Sequence, residues 1–278
     1  MPETISLIPY FGGSSRVAPK ILEHVYRAAE RFPLTRFEEV FGGGCRVLLN
    51  SPYFEEKCYN EIDSGLCRLM SVVGNAEACE QMIEFLKDLP YQKDLFLYAR
   101  DHREDPNLDP VRGAAFAYIA ATQSRVGTME SYKSYRDPTQ QQASIIQYYE
   151  HIDKIHICTP RLAGVQITNH DFREPLYEHI MDEQSLFVID PPFLPDTRLS
   201  AKVYKHELGV EDHAELIALL LQARFKAILC GYDTEEGNPL YRQLTLHGWQ
   251  RISLGLQTVS SSSKKVRPTH TYYIWINF

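Results

Sequence analysis

Long apolar runs, paired cysteines and an excess of positive charge are all missing from this 278-residue chain. No stretch approaches the roughly 18 apolar residues that a membrane-spanning helix requires, so no membrane association is expected. The cysteines (Cys45, Cys58, Cys67, Cys79, Cys158 and Cys230) are scattered without a CxxC pair, which excludes a zinc-finger pattern or a disulfide framework and predicts reduced thiols and no metal site. The opening MPETISLIPYFGG has neither the basic start nor the apolar core of a signal peptide, so a cytoplasmic protein is expected. Net charge is −7, which argues against a broad cationic surface. DNA binding needs only a local patch that displaces counterions, so the total predicts weak non-specific affinity and a steep salt dependence rather than exclusion. No internal repeat is visible.

What is present alternates between apolar strands and helices. Hydrophobic residues make up 44% and charged residues 23%, the balance of a globular protein. From Arg36 the chain reads as a short strand, a glycine-rich turn and an apolar helical start. Lys57 to Asn60 reads as the next strand, ending at Glu61. Ser185 to Ile189 and Phe225 to Cys230 read as further strands, and DHAELIALLLQAR before the latter carries apolar residues at three- and four-residue steps. That alternation predicts an α/β fold with a mostly parallel sheet covered on both faces. QRISLGLQTV and THTYYIWINF predict a closing antiparallel hairpin. Between about Leu66 and Lys154 the pattern is helical and strand alternation is nearly absent. Residues 67–154 therefore read as a helical insertion between a first core segment, 1–66, and a second, 155–278.

Two motifs carry chemistry. Phe41-Gly42-Gly43-Gly44 follows a strand, where glycines let the backbone approach a ligand; alone it is equally the mark of tight packing. Glu61, at the tip of the following strand, is placed to accept hydrogen bonds from ribose hydroxyls, with Asp63 as the alternate. Asp190-Pro191-Pro192-Phe193 is more informative. Two prolines cannot continue a sheet, so the acid before them and the aromatic after them are held at the strand's carboxyl end.

These blocks, in this order, resemble the Dam-like adenine-N6 DNA methyltransferases. PYFGGSSR looks like that family's opening cofactor motif and VQITNHDF like its segment that contacts the cofactor's adenine; TRLSAKVY, EDHAEL, CGYD and WINF also match. The resemblance implies a Rossmann-like methyltransferase sheet using S-adenosyl-L-methionine. The residues implied at the cofactor are Tyr10, Phe11, Gly12, Gly13, Ser14, Arg16, Phe41, Gly42, Gly43, Gly44, Glu61, Ile62, Asp63, Asp171, Phe172 and Asp190. Ser14 stands where the family carries lysine, with Arg16 or Lys20 as candidate sources of the missing charge. The glycines follow Glu39-Val40 rather than Glu-Pro, and Phe193 replaces the commoner tyrosine.

The same resemblance implies catalysis by Asp190, Pro191, Pro192 and Phe193 on an adenine flipped out of double-stranded DNA, by a monomer, with a cognate restriction endonuclease left open as a partner. The insertion would be the target-recognition region, with Arg112, Gln123, Arg125 and Lys133 as base- or phosphate-contacting candidates and Lys264 and Lys265 as a second set. Three rivals stand beside this reading. Methyl transfer to cytosine N4 or to RNA uses similar amine chemistry. A non-catalytic DNA-binding relative is suggested by Ser14 and the acidic charge. A nicotinamide-dependent dehydrogenase would need the GxGxxG spacing that FGGG lacks.

Overall fold

The computed structural model describes residues 4–10, 17–194, 205–233, 237–258 and 269–278. In chain order the strands are β1 (Arg36–Glu39), β2 (Glu56–Asn60), β3 (Gln166–Thr168), β4 (Ser185–Ile189), β5 (Lys226–Asp233), β6 (Gln250–Thr258) and β7 (Thr269–Ile276). The helices are α1 (Ala18–Arg31), α2 (Arg46–Asn50), α3 (Ser64–Gly74), α4 (Ala76–Lys87), α5 (Lys93–His102), α6 (Pro110–Thr122), α7 (Pro138–Ile152), α8 (Thr159–Leu162), α9 (Arg173–Glu178), α10 (Val210–Gln222) and α11 (Pro239–Leu246). The strands run in the order β3-β2-β1-β4-β5-β7-β6. By residue contacts the chain divides into two compact units. The first is Met1–Ser14, Gly43–Asn50 and Glu61–Asn169; the second is Ser15–Gly42, Ser51–Asn60 and His170–Phe278.

The second unit holds the sheet's centre. β1 pairs in parallel with β2 on one side and with β4 on the other, and β4 pairs in parallel with β5. Every residue of β4 is buried, as its uninterrupted apolar run requires of a strand covered on both faces. β7 runs antiparallel to β5 and β6, which supplies the expected hairpin. β5 extends past the predicted Cys230 to Asp233, because Gly231 to Asp233 also find partners in β7. Phe187, Leu216, Leu220, Phe225, Tyr241 and Trp275 fill the space between sheet and helices. Burying such large side chains contributes about 1.5–3 kcal/mol each before entropy is subtracted.

Chain direction also locates a crevice. From the neighbouring strands β1 and β4, the connections lead away in opposite directions, to β2 and to β5. Such a switch point, at the carboxyl ends of the two strands, is where open α/β sheets take ligands. Phe41 follows one strand and Asp190 the other.

The first unit is helical. The segment 67–154 runs through α3 to α7, with a single isolated bridge, Ser124 to Tyr132, among its described residues. α6 is its central helix, packed against α3, α4 and α5 and buried continuously from Gly113 to Ala121. Its small residues (Gly113, Ala114, Ala115, Ala117) allow that close enclosure, and a helix apolar all round belongs inside. Asp109 starts it by accepting the Arg112 N–H at 3.1 Å, with Pro110 in the first turn.

Candidate active site

In the second unit, Asp190 follows β4 directly and its Oδ1 accepts the Tyr272 hydroxyl at 3.0 Å. Tyr272 comes from β7, where it lies opposite Tyr232 of β5. Burial first, and then the Asp190 charge, push the Tyr272 hydroxyl well above its ordinary pKa, so it remains a donor to the carboxylate. Phe193 is 4% exposed and packs edge-on against Tyr232 and Tyr272, with centroids 4.5 and 5.6 Å away. The Pro192 carbonyl lies 2.9 Å from Nε2 of His213. The sheet therefore delivers a half-buried carboxylate and a donor-free proline pair, braced by aromatic rings, to the switch point.

The glycine turn explains its own composition. A Cβ on Gly42 would fall 2.1 Å from the Tyr59 ring, and the Gly42 N–H bonds the Asn60 carbonyl at 3.0 Å. Phe41 and Phe172 lie 5.4 Å apart at 34°. Arg173 covers Phe172 at 4.4 Å from the ring centroid, and its Nη1 bonds both Asp171 oxygens at 3.1 Å. Its Nη2 bonds Asp212 at 2.6 Å, and its Nε bonds Glu215. Asp171 is thus held by its neighbour before any ligand arrives.

The first unit carries the other group. Gly43 has φ +45, and a Cβ there would meet the Tyr10 ring at 2.6 Å. Its N–H donates to Oε2 of Glu61 at 2.8 Å, while the Asp63 N–H donates to Oε1 at 3.1 Å. Burial, and secondarily the Asp63 charge, raise the Glu61 carboxyl from 4.5 to about 7, against the lowering effect of the Gly43, Asp63 and Ile62 N–H groups. A carboxylate has about four acceptor sites, so with three N–H groups on it this one retains capacity for a ribose hydroxyl. Asp63 is engaged differently: its Oδ1 caps α3 through the Leu66 N–H at 3.1 Å and also takes Nη1 of the buried Arg103. Ile62 is exposed. The donor set fits the adenosyl half of S-adenosylmethionine.

Phe11, Gly12, Gly13, Ser14, Arg16, Lys264 and Lys265 lie outside the described residues. Lys20, a candidate for the charge missing at Ser14, donates to the Leu254 carbonyl of β6 at 2.6 Å.

Among the target-recognition candidates, Arg112 is exposed, with its guanidinium 5.8 Å from the Phe85 ring centroid. Arg125 is exposed, and Lys133 sits 5.3 Å from the Tyr135 ring centroid. One narrow turn brings these last two together: the Arg125 N–H bonds Ser131 at 2.9 Å and the Lys133 N–H bonds Gln123 at 2.8 Å. At its tip Val126 adopts φ 49 and is 60% exposed. Gln123 corrects the sequence expectation. Its side chain is 0% exposed, because it ends the enclosed helix α6, so it does not offer its amide to a base edge.

Sequence reasoning missed Tyr272, His213, Tyr241, Arg103 and Arg173 as parts of the site. EDHAEL and THTYYIWINF contained His213 and Tyr272, but nothing local to either run marks a bond to the tetrad.

Among the described residues no helix is long and apolar enough to cross a membrane, and no cluster of three or more His, Cys, Asp or Glu could hold a metal. No individual curated protein matches the chain. The family model of D12 class N6 adenine-specific DNA methyltransferases matches residues 10–253, a span that includes the glycine turn, Glu61, Asp190 and the whole helical segment. The chain belongs to the D12 class N6 adenine-specific DNA methyltransferase family.

Proposed function

We propose that this adenine-N6 DNA methyltransferase takes S-adenosylmethionine as donor and double-stranded DNA as acceptor, with the target adenine swung out of the duplex, and that Asp190 and Pro191 bind its amine. The observation that carries this reading is Asp190-Pro191-Pro192-Phe193 at the switch point of the sheet, its carboxylate held by Tyr272.

S-adenosylmethionine supplies an electrophilic methyl group on a sulfonium. Glu61 would accept a ribose hydroxyl, Asp171 and Phe172 would receive the adenine, and Tyr10 with Gly43 and Gly44 would form the close backbone approach. The exocyclic amine of the target base is a poor nucleophile, because its lone pair is delocalised into the ring. Asp190 would accept one N–H and the Pro191 carbonyl the other, drawing the nitrogen toward tetrahedral geometry and releasing the lone pair. Acceptors fixed before the base arrives cost no reorganisation during reaction, and alignment at near-attack distance supplies much of the remaining acceleration. A base inside the duplex cannot reach such a turn, hence the extrusion. Phe193 would stack on the extruded base, which requires its enclosed ring to be uncovered on DNA binding. Within the helical segment, Arg112, Arg125 and Lys133 would contact the DNA; Gln123 would not.

The test is methylation of duplex DNA with labelled S-adenosylmethionine, followed by nucleoside analysis. N6-methyladenine from the wild type, its loss in Asp190→Ala and retained cofactor binding in that variant are expected. N4-methylcytosine as the product, or appreciable activity in Asp190→Ala, overturns the proposal.

A further inference from the structure

Pro191 and Pro192 have no N–H groups, so two successive peptide units of the turn cannot anchor themselves by donating hydrogen bonds. Their rings fix φ, and Pro192 confines ψ of Pro191 to the extended region, but ψ of Pro192, which aims its own carbonyl, is left to whatever donates to that carbonyl. His213 of α10 is fully buried and lies 2.9 Å through Nε2 from the Pro192 oxygen. Its other ring nitrogen, Nδ1, lies 2.8 Å from the hydroxyl of Tyr241 of α11.

We propose that His213 and Tyr241 are positioning residues for methyl transfer: their relay holds the Pro192 carbonyl and thereby aims the preceding Pro191 carbonyl at the amine of the target adenine. This rests on the reading of Asp190–Phe193 as the catalytic turn.

Hydrogen-bond chemistry assigns each proton. A carbonyl oxygen can only accept, so Nε2 carries the hydrogen that binds Pro192. Nδ1 then presents a lone pair, and the Tyr241 hydroxyl donates to it. Burial pushes the Tyr241 hydroxyl far above its ordinary pKa, so it keeps the proton that it donates to that lone pair. Tyr241 is itself held by the Trp275 ring, 4.8 Å away between centroids. A leucine could fill the volume of His213, but it would leave the Pro192 carbonyl and the Tyr241 hydroxyl without these partners. The bonds of this relay end on the Pro192 carbonyl and not on Asp190 or the Pro191 carbonyl, so their effect reaches the reaction through the backbone of the turn.

The experiment compares full-length wild type, His213→Gln, His213→Asn and Tyr241→Phe in single-turnover methylation of duplex DNA, with cofactor affinity and thermal unfolding measured on each. Glutamine places its amide nitrogen where imidazole Nε2 lies, whereas asparagine reaches only the Nδ1 position. We expect His213→Gln to stay within about threefold of wild type and His213→Asn to lose about 10- to 100-fold, as expected for a misplacement near 1 Å. Cofactor affinity should be unchanged in both, and Tyr241→Phe should fall between them. A purely structural role would make the two histidine variants equal, or make rates follow thermal stability, and either result overturns the inference. Tyr241→Phe removes a single oxygen and carries the test alone should the histidine variants fail to fold; a wild-type rate there is equally fatal. Wild type that makes no N6-methyladenine overturns the catalytic reading of the turn and this inference with it. Normal wild-type activity with equal histidine variants overturns the inference alone.

Discussion

Cofactor affinity should depend on pH through Glu61. Its carboxyl titrates at about 7, and on the proposed reading the ionised form is the better acceptor for a ribose hydroxyl. With that midpoint, about nine-tenths of the protein is ionised at Glu61 at pH 8 and about one-tenth at pH 6. A bound hydroxyl stabilises the charge, so affinity should weaken about tenfold over that interval, or about 1.4 kcal/mol. Binding at pH 7 should release about half a proton from this group. Titration calorimetry in two buffers of different ionisation enthalpy counts that proton. Glu61→Gln is the control, because the amino group of S-adenosylmethionine titrates nearby, at about 7.7–8, and contributes equally to both proteins. Without cofactor, the dependence of stability has the opposite slope. The folded value lies above the unfolded value of 4.5, so the neutral carboxyl's contribution is complete below pH 4.5 and is lost as pH rises to about 7. That loss is about 3 kcal/mol, from 1.36 kcal/mol per unit of pKa difference. Identical pH dependence of affinity in wild type and Glu61→Gln would refute the reasoning.

Tyr272→Phe removes the hydroxyl that holds Asp190 and should lower the single-turnover rate about 10- to 100-fold while cofactor affinity stays constant, given about 1.5–3 kcal/mol for a hydrogen bond to a charged group; an unchanged rate would mean the carboxylate is placed by the turn alone. Arg103→Leu leaves the buried Asp63 without its guanidinium and should cost about 3–5 kcal/mol in urea unfolding. A loss under 1 kcal/mol would show that water replaces the arginine there.

The sheet was legible because its signals are local. β4 matches its predicted span, Ser185–Ile189, since an apolar run ended by two prolines admits little else. β6 and β7 likewise follow runs bounded by turn residues. Asp190 and the glycine turn could be read for the same reason: each is a short pattern whose geometry follows from proline or glycine. Gln123 shows the limit. Its sequence neighbourhood, TQSRVG, is polar, but the end of a helix enclosed on all sides carried it inward. Hydrophilic neighbours do not establish exposure when the helix before them is a core helix.

The supports of the site were illegible because they are long-range. Tyr272 is separated by 82 residues from Asp190, Arg103 by 40 from Asp63 and His213 by 21 from Pro192. No periodicity couples such pairs, and each partner sits in a run that its element already explains. Tyr272 is one aromatic in a β-strand, and His213 lies on a helix face that also buries Leu216 and Ile217. The chemistry nevertheless requires outside supports. A proline pair makes the turn stiff in φ but removes the N–H groups with which a loop ordinarily anchors itself. Its acceptors must therefore be held by donors from other elements, here a hydroxyl from β7 and an imidazole from α10. Those donors are buried, and a buried donor that loses its acceptor costs more than the bond itself contributes. The penalty acts in both directions: it makes each support expensive to mutate, and it disfavours every conformation of the turn in which the carboxylate or the Pro192 carbonyl points elsewhere.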